Sequence, residues 1–224
     1  MPRSCDPPEF RCTRHLELLA WREGRRFIAG CDEVGRGALL GPLYAAAVIL
    51  DPAKSIPGID DSKKLTAPQR ESLAKKIRFK ALAWQVVAVS AEEVDALNVY
   101  EASRQGMLRA LRALIPAPDF ILTDAMPLRE GGEDFHIPYR AIIHGDARSV
   151  CIAAASILAK VARDEHLTKL DGVFPQYGLA RNKGYGTRDH LAALARFGPC
   201  PEHRKTYQPV KDFLLPLFPL VAPA

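Results

Sequence analysis

Two short apolar runs of this chain end on carboxylates. RFIAGCD (26–32) closes on Asp32 with Glu33 directly behind it, and DFILTD (119–124) closes on Asp124. Apolar runs of this length read as buried strands, and α/β folds present ligands at the edge of the sheet where strands end. A third acid, Asp146, lies in the loop HGDARS ahead of a long Ala-rich segment. Each acid taken singly has an ordinary alternative, a turn former or, for Asp146, a helix cap. Clustered, they would repel one another and raise their own pKa values unless a cation intervened. Hard oxygen ligands select Mg²⁺ or Mn²⁺. Two such ions about 4 Å apart can activate water and stabilise the leaving oxygen in phosphodiester hydrolysis. The chain has no His/Cys set for zinc, no GxSxG motif and no Walker loop, so no nucleophilic side chain competes for that role.

The rest of the pattern predicts an α/β domain with a mixed sheet. LYAAAVIL (43–50) is a second strand. The short Gly-rich link EVGRGALLGP joins it to the first, which predicts an antiparallel pair. ALAWQVVAVS (81–90) is strand-like. Helices are predicted over 13–24, from Thr66 to about Ile77, from Ser90, over 99–115, over 149–170 and from Thr187 to Arg196. Thr66 with Gln69, and Ser90 with Glu93, have capping-box spacing. The 99–115 segment carries an apolar stripe at i, i+3, i+4, and the small residues of 149–170 allow close packing on a sheet. The expected organisation is a lead-in and helix over 1–24, one catalytic domain over 25–204, and a Pro-rich appendage over 205–224.

Net charge +5 and a pI near 9.0 fit an anionic partner such as nucleic acid, although many proteins without one carry a similar charge. The five cysteines form no CxxC pair. Cys31 and Cys151 sit in apolar surroundings as buried thiols, which points to a reducing compartment. The first residues, MPRSCDPPEFRC, hold no apolar run of signal-peptide length. The longest apolar stretch, ALLGPLYAAAVIL, is too short to span a bilayer and contains Pro42. A cytoplasmic protein with no membrane association is expected.

Gly35 and Gly37 flank Arg36 immediately after the acidic pair. Glycine lets a ligand approach main-chain atoms, so this loop can offer N–H and C=O groups to a sugar; a tight turn between strands would explain both glycines equally. Ser62, Lys63 and Lys64 precede a helix start, which suits phosphate but also suits a solvated basic loop. Lys160 and Lys183 are further candidate phosphate contacts. Tyr185 stands between Gly184 and Gly186, a setting that favours exposure and sugar contact over the usual core position of an aromatic. His144, His190 and His203 are given no role.

DEVGRG, with GPLYAAAVIL behind it, resembles the prokaryotic type 2 ribonucleases H, ribonuclease HII. So do DDSKKL (60–65), HGDARS (144–149), AAASILAKVARD (153–164) and NKGYGT (182–187), in the same order and with agreeing spacing. The resemblance runs from about residue 27 to 210. It implies a ribonuclease H-like mixed sheet flanked by helices, with a small helical C-terminal part. The family's acidic set falls on Asp32, Glu33, Asp124 and Asp146, which would hold two Mg²⁺ or Mn²⁺ ions. Its Gly-Arg-Gly motif falls on Gly35, Arg36 and Gly37, which would read a 2′-hydroxyl through the backbone. Its tyrosine falls on Tyr185, which would pack on the sugar next to the junction. The implied substrates are RNA–DNA hybrids and duplex DNA carrying single ribonucleotides, cut by a monomer on the 5′ side of a ribonucleotide to leave 3′-hydroxyl and 5′-phosphate. The chain departs from the family at Val34, where Ala is usual, and at Ala125, where Gly is usual. Asp164 lies near enough to compete with Asp146, which is preferred because it matches the family's Gly-Asp pair. A non-catalytic nucleic-acid-binding protein of the same fold, or a nuclease of that fold with another specificity, is the alternative.

Overall fold

The computed structural model describes residues 10–128 and 136–214. In chain order the elements are α1 (His15–Arg22), β1 (Ile28–Val34), β2 (Leu43–Ile49), α2 (Ala67–Lys80), β3 (Ala83–Val89), α3 (Ala91–Leu97), α4 (Val99–Arg112), β4 (Phe120–Asp124), β5 (Tyr139–Ile142), α5 (Val150–Asp171), α6 (Leu179–Asn182), α7 (Arg188–Phe197) and α8 (Val210–Leu214). One five-stranded sheet runs in the order β3-β2-β1-β4-β5. β1 pairs antiparallel with β2, as the short link predicts, and parallel with β4. β5 extends the sheet parallel to β4 and has no counterpart in the sequence reading.

Side chains alternate across a strand, and both faces of this sheet are covered. Ala46 and Val48 of β2 pack with Leu73, Ala74 and Ile77 of α2 and with the Ala-rich face of α5. Ala45, Ala47 and Ile49 face the other way, onto Met107, Leu108 and Leu111 of α4. The two helical layers follow from their sequences. The apolar stripe of α4 faces the sheet, and α5 is small enough to reach the backbone of β1. A Cβ added to Gly30 would lie 2.1 Å from the carbonyl carbon of Cys151, so only glycine lets this helix sit where it does.

The helix starts are set largely as their sequences predict. Gln69 reaches back to accept from the Thr66 N–H at 2.8 Å, and Ser90 and Glu93 close a full capping box. α2 runs on to Lys80, past the predicted end near Ile77, and α4 stops at Arg112 rather than 115. Residues 1–9 of the predicted lead-in and 215–224 of the Pro-rich tail lie outside the described residues. Within the expected appendage, the Lys205 and Thr206 N–H groups donate to Asp95 at 2.7 and 2.9 Å, and Val210 is buried. Among the described residues no helix is long and apolar enough to cross a membrane.

Candidate active site

Parallel pairing brings the two strand-end acids together. Cys31 of β1 is in register with Thr123 of β4, so Asp32 and Asp124, one residue further on, emerge side by side at the C-terminal edge of the sheet. Strand alternation points Cys31 toward α4, where its thiol faces the Met107 carbonyl, and sends Asp32 to the α5 side. The third acid comes from a turn of 3₁₀ helix, Gly145–Ala147, behind β5. The Gly145 N–H donates to Asp124 Oδ1 at 2.7 Å, tying this turn to β4. Ser149, not Asp146, caps α5, accepting from the Ile152 N–H at 3.2 Å. That leaves Asp146 free of the helix start, which was its ordinary alternative.

One carboxylate oxygen from each of Asp32, Asp124 and Asp146 falls within 4.8 Å of the others. Asp164 is not in this group: it pairs with Lys160 at 2.8 Å on the flank of α5. Burial pushes Asp32 well above the usual carboxylate range, and Glu33 and Asp124 push it further. Burial raises Asp124 too, with the Gly145 N–H opposing and Asp146 adding to the rise. Glu33 is raised by burial against the pull of Arg36, whose guanidinium lies 3.1 Å from its Oε1. The other oxygen, Oε2, is buried with no hydrogen-bond partner. Lys63 Nζ sits 2.8 Å from Asp146 Oδ2. Partial burial opposes the charge on Lys63, but Asp146 outweighs it and holds the ammonium above the usual lysine range.

Asp32, Glu33 and Asp124 open into a cleft of about 370 Å³ lined also by Gly35, Arg36, Gly37, Tyr185, Ser62, Lys63 and Lys160, and Asp146 is buried behind them, paired with Lys63. Nearly all the residues singled out in the sequence therefore meet in one place. Ser62 is buried there with its hydroxyl 3.0 Å from that of Ser156. Lys183 lines a neighbouring cleft together with Lys160. Lys64 lines neither; it points outward, 3.8 Å from Asp60.

The two glycines of the Gly-Arg-Gly loop are unlike. Gly35 has φ +96°, and a Cβ there would lie 2.2 Å from Arg163 Nε. A Cβ on Gly37 would meet nothing within 4 Å. The tight-turn explanation thus suffices for Gly35 and fails for Gly37. Ala125, at the position where the family usually has glycine, adopts φ +53°. Its N–H donates to the Ile142 carbonyl at 3.0 Å, and Thr123 Oγ1 donates to the Met126 carbonyl at 2.6 Å, so the turn that glycine would ease is clamped instead.

Sequence reasoning missed two buried arginines. Arg163 donates to the carbonyls of Pro42, Leu40 and Lys183, and its guanidinium stacks 5.4 Å from the centre of the Tyr185 ring. Arg204 donates to the carbonyls of Gly41 and Arg36, and Tyr207 adds its hydroxyl to the Arg36 carbonyl at 2.7 Å. Both guanidiniums are fully buried and spend their donors on the backbone of the loops around the cleft. The only signal in the sequence was an arginine directly behind the apolar Ala-rich run of the long helix, in VARD, and another in an unassigned HRK stretch.

The comparisons with known proteins agree with this arrangement. The family model described as Ribonuclease HII matches residues 29–210. Ribonuclease HII of Solibacter usitatus is 51% identical over 203 residues, covering 91% of this chain and 87% of that protein. Ribonuclease HII of Syntrophotalea carbinolica is 48% identical over 211 residues, covering 93% and 98%. Among solved structures, ribonuclease H2 of Pyrococcus horikoshii superposes with a TM-score of 0.70 at 27% identity, covering 84% of this chain and 97% of that one. The chain belongs to the ribonuclease HII family and is a hydrolytic nuclease of the ribonuclease H type.

Proposed function

We propose that this protein hydrolyses the RNA strand of RNA–DNA hybrids and cuts on the 5′ side of single ribonucleotides in duplex DNA, leaving 3′-hydroxyl and 5′-phosphate ends. The observation that carries this reading is that Asp32, Glu33 and Asp124, with Asp146 converging on them from behind, share one cleft with the Gly-Arg-Gly loop and Tyr185. The donor set suits hard divalent cations. Three carboxylate oxygens converge within 4.8 Å, Glu33 keeps an unpartnered buried oxygen, and the Lys63 ammonium occupies the position of a counter-charge on Asp146. Asp32, Glu33, Asp124 and Asp146 would hold two Mg²⁺ or Mn²⁺ ions, which when bound supply an acidified water and charge stabilisation at the phosphate.

The remaining work belongs to the chain itself. Gly37 leaves the loop backbone open, so main-chain N–H and C=O groups of residues 35–37 can meet a 2′-hydroxyl, the group that distinguishes RNA from DNA. Arg36 is held over Glu33 by their ion pair. Tyr185 is about one-third exposed (36%) and backed by Arg163, which presents its ring flat to a sugar. Ser62, Lys63 and Lys160 line the cleft where phosphates would pass, Lys183 extends that line, and Lys64 lies further out. We read the enzyme as a monomer acting in the cytoplasm, where its free thiols stay reduced.

The deciding experiment compares an all-DNA duplex with the same duplex carrying one ribonucleotide, in Mg²⁺ and in Mn²⁺. The expected result is a single cut 5′ of the ribonucleotide and an intact all-DNA control. Cleavage of both duplexes at similar rates would assign the cleft to a different specificity. Binding with no cleavage in either metal would favour a non-catalytic protein of this fold.

A further inference from the structure

His190 of α7 and His203 of the C-terminal stretch are both buried, and neither has a place in the mechanism above. Their Nε2 atoms lie 3.2 Å apart. Two neutral imidazoles can bond this way only if one Nε2 carries the proton and the other does not. The outer nitrogens decide which. The Cys200 backbone N–H donates to His203 Nδ1 at 2.9 Å, so that nitrogen is the acceptor and the His203 proton sits on Nε2. His190 Nδ1 lies 2.9 Å from the Tyr185 carbonyl, which can only accept, so the His190 proton sits on Nδ1. The Cys200 N–H, His203, His190 and the Tyr185 carbonyl thus form a chain in which every bond runs the same way.

An added proton on either ring would set N–H against N–H. Burial lowers His190, and burial together with His190 lowers His203 to about 4. Tyr177 lies edge-on to both rings, its centroid 5.9 Å from that of His190 and 4.8 Å from that of His203. Its hydroxyl is turned away to the Gly198 carbonyl. The Cys200 thiol, 3.2 Å from His203 Nδ1, is itself pushed up by burial and stays uncharged.

The two ends of this chain matter. At one end the Tyr185 carbonyl already accepts from the Thr187 N–H at 2.8 Å, so the His190 bond fixes the loop that carries the tyrosine ring in a second direction. At the other end the segment holding His203 is paired with the strand-side loop. Leu40 and His203 form an antiparallel bridge, Gly41 N–H donates to the Glu202 carbonyl at 2.9 Å, and Arg204 N–H donates to the Leu39 carbonyl at 2.8 Å.

We propose that His190 and His203 are positioning residues that fix Tyr185 against the Gly-Arg-Gly loop and so set the enzyme's selectivity for a ribonucleotide. The relay links the two halves of the cleft that read the sugar, and in its bearing on selectivity it rests on the reading of Tyr185 as a ribose contact.

Two measurements on the full chain test this. The first is the histidine side-chain ¹⁵N–¹H correlation spectrum at pH 7, which is independent of substrate. It should show His203 protonated on Nε2 and His190 on Nδ1; the opposite tautomers, or an imidazolium, overturn the relay. The second is kcat/KM in Mg²⁺ on duplex DNA carrying one ribonucleotide, with circular dichroism confirming that each variant is folded at the assay temperature. His190→Leu should lose about tenfold, the scale of one hydrogen bond. His190→Asn, which keeps an N–H near the Nδ1 position, should recover most of the loss. The double variant His190→Leu/Tyr185→Ala should be no slower than Tyr185→Ala alone. Full additivity in the double variant, or no recovery by His190→Asn, overturns the positioning role. A normal rate for Tyr185→Ala overturns the ribose reading, and the selectivity role with it, while the spectrum still decides the relay.

Discussion

Gly35 and Gly37 are two residues apart, yet a Cβ would lie 2.2 Å from Arg163 Nε at the first and touch nothing within 4 Å at the second. Gly35→Ala also needs the left-handed backbone, so it should cost about 1–3 kcal/mol of stability and lower Tm by several degrees. Gly37→Ala should change stability by no more than about 0.5 kcal/mol and still cut single-ribonucleotide cleavage at least about tenfold, because the methyl group blocks the open backbone. Melting curves and initial rates on the two variants check this. A destabilised Gly37→Ala, or one that cleaves normally, would return that glycine to an ordinary turn. At this scale the acids were legible because their chemistry is written in their identity: Asp32, Asp124 and Asp146 do converge. The reason for Gly35 was not, because Arg163 stands on a helix far along the chain. The same is true of His190 and His203, whose partners are each other and the backbone of Tyr185.

The central element pair is β1 and α5, which meet backbone to backbone at Gly30. Asp32 lies two residues beyond this contact on the same face, where it lines the cleft together with Ser156 of α5. Gly30→Ala would force the helix away from the strand, since the new methyl group would stand 2.1 Å from main-chain carbon rather than a movable side chain. The expected result is a loss of about 3 kcal/mol or more, at the upper end for overpacking, together with weakened metal binding. Thermal melts with and without Mn²⁺ measure both. A variant as stable as the parent would mean that α5 does not need this approach. The Ala-rich composition of 149–170 already signalled close packing, and the capping residues signalled where helices begin. β5 was not legible: Tyr139–Ile142 is four residues long, only half-buried to exposed, and carries no clean alternation. The parallel pairing of β1 with β4 was equally hidden, because it depends on the crossover through α2–α4 rather than on either strand's own pattern.

On the scale of the whole molecule, the acids are assembled by the sheet and the glycine-rich loops around the cleft by segments packed at its edge. Arg204 and Tyr207 hold the Arg36 carbonyl, Arg163 holds the Lys183 and Leu40 carbonyls, and the histidine pair joins Tyr185 to the same C-terminal stretch. The cluster of raised carboxylates is a standing cost to the metal-free fold, which a divalent cation would offset. The measurement that bears most directly on this is the behaviour of Asp124→Asn. Its amide oxygen can still accept the Gly145 N–H, so the turn carrying Asp146 stays in place, while one of the repelling charges is gone. In Mg²⁺ the variant should bind an RNA–DNA hybrid nearly as well as the parent and cleave it more than about a hundredfold more slowly, because even residues that merely orient metal ligands cost 10–100-fold. Without metal it should melt no lower than the parent. Cleavage by Asp124→Asn at the parent rate would contradict the assignment of the acid cluster as the catalytic metal site.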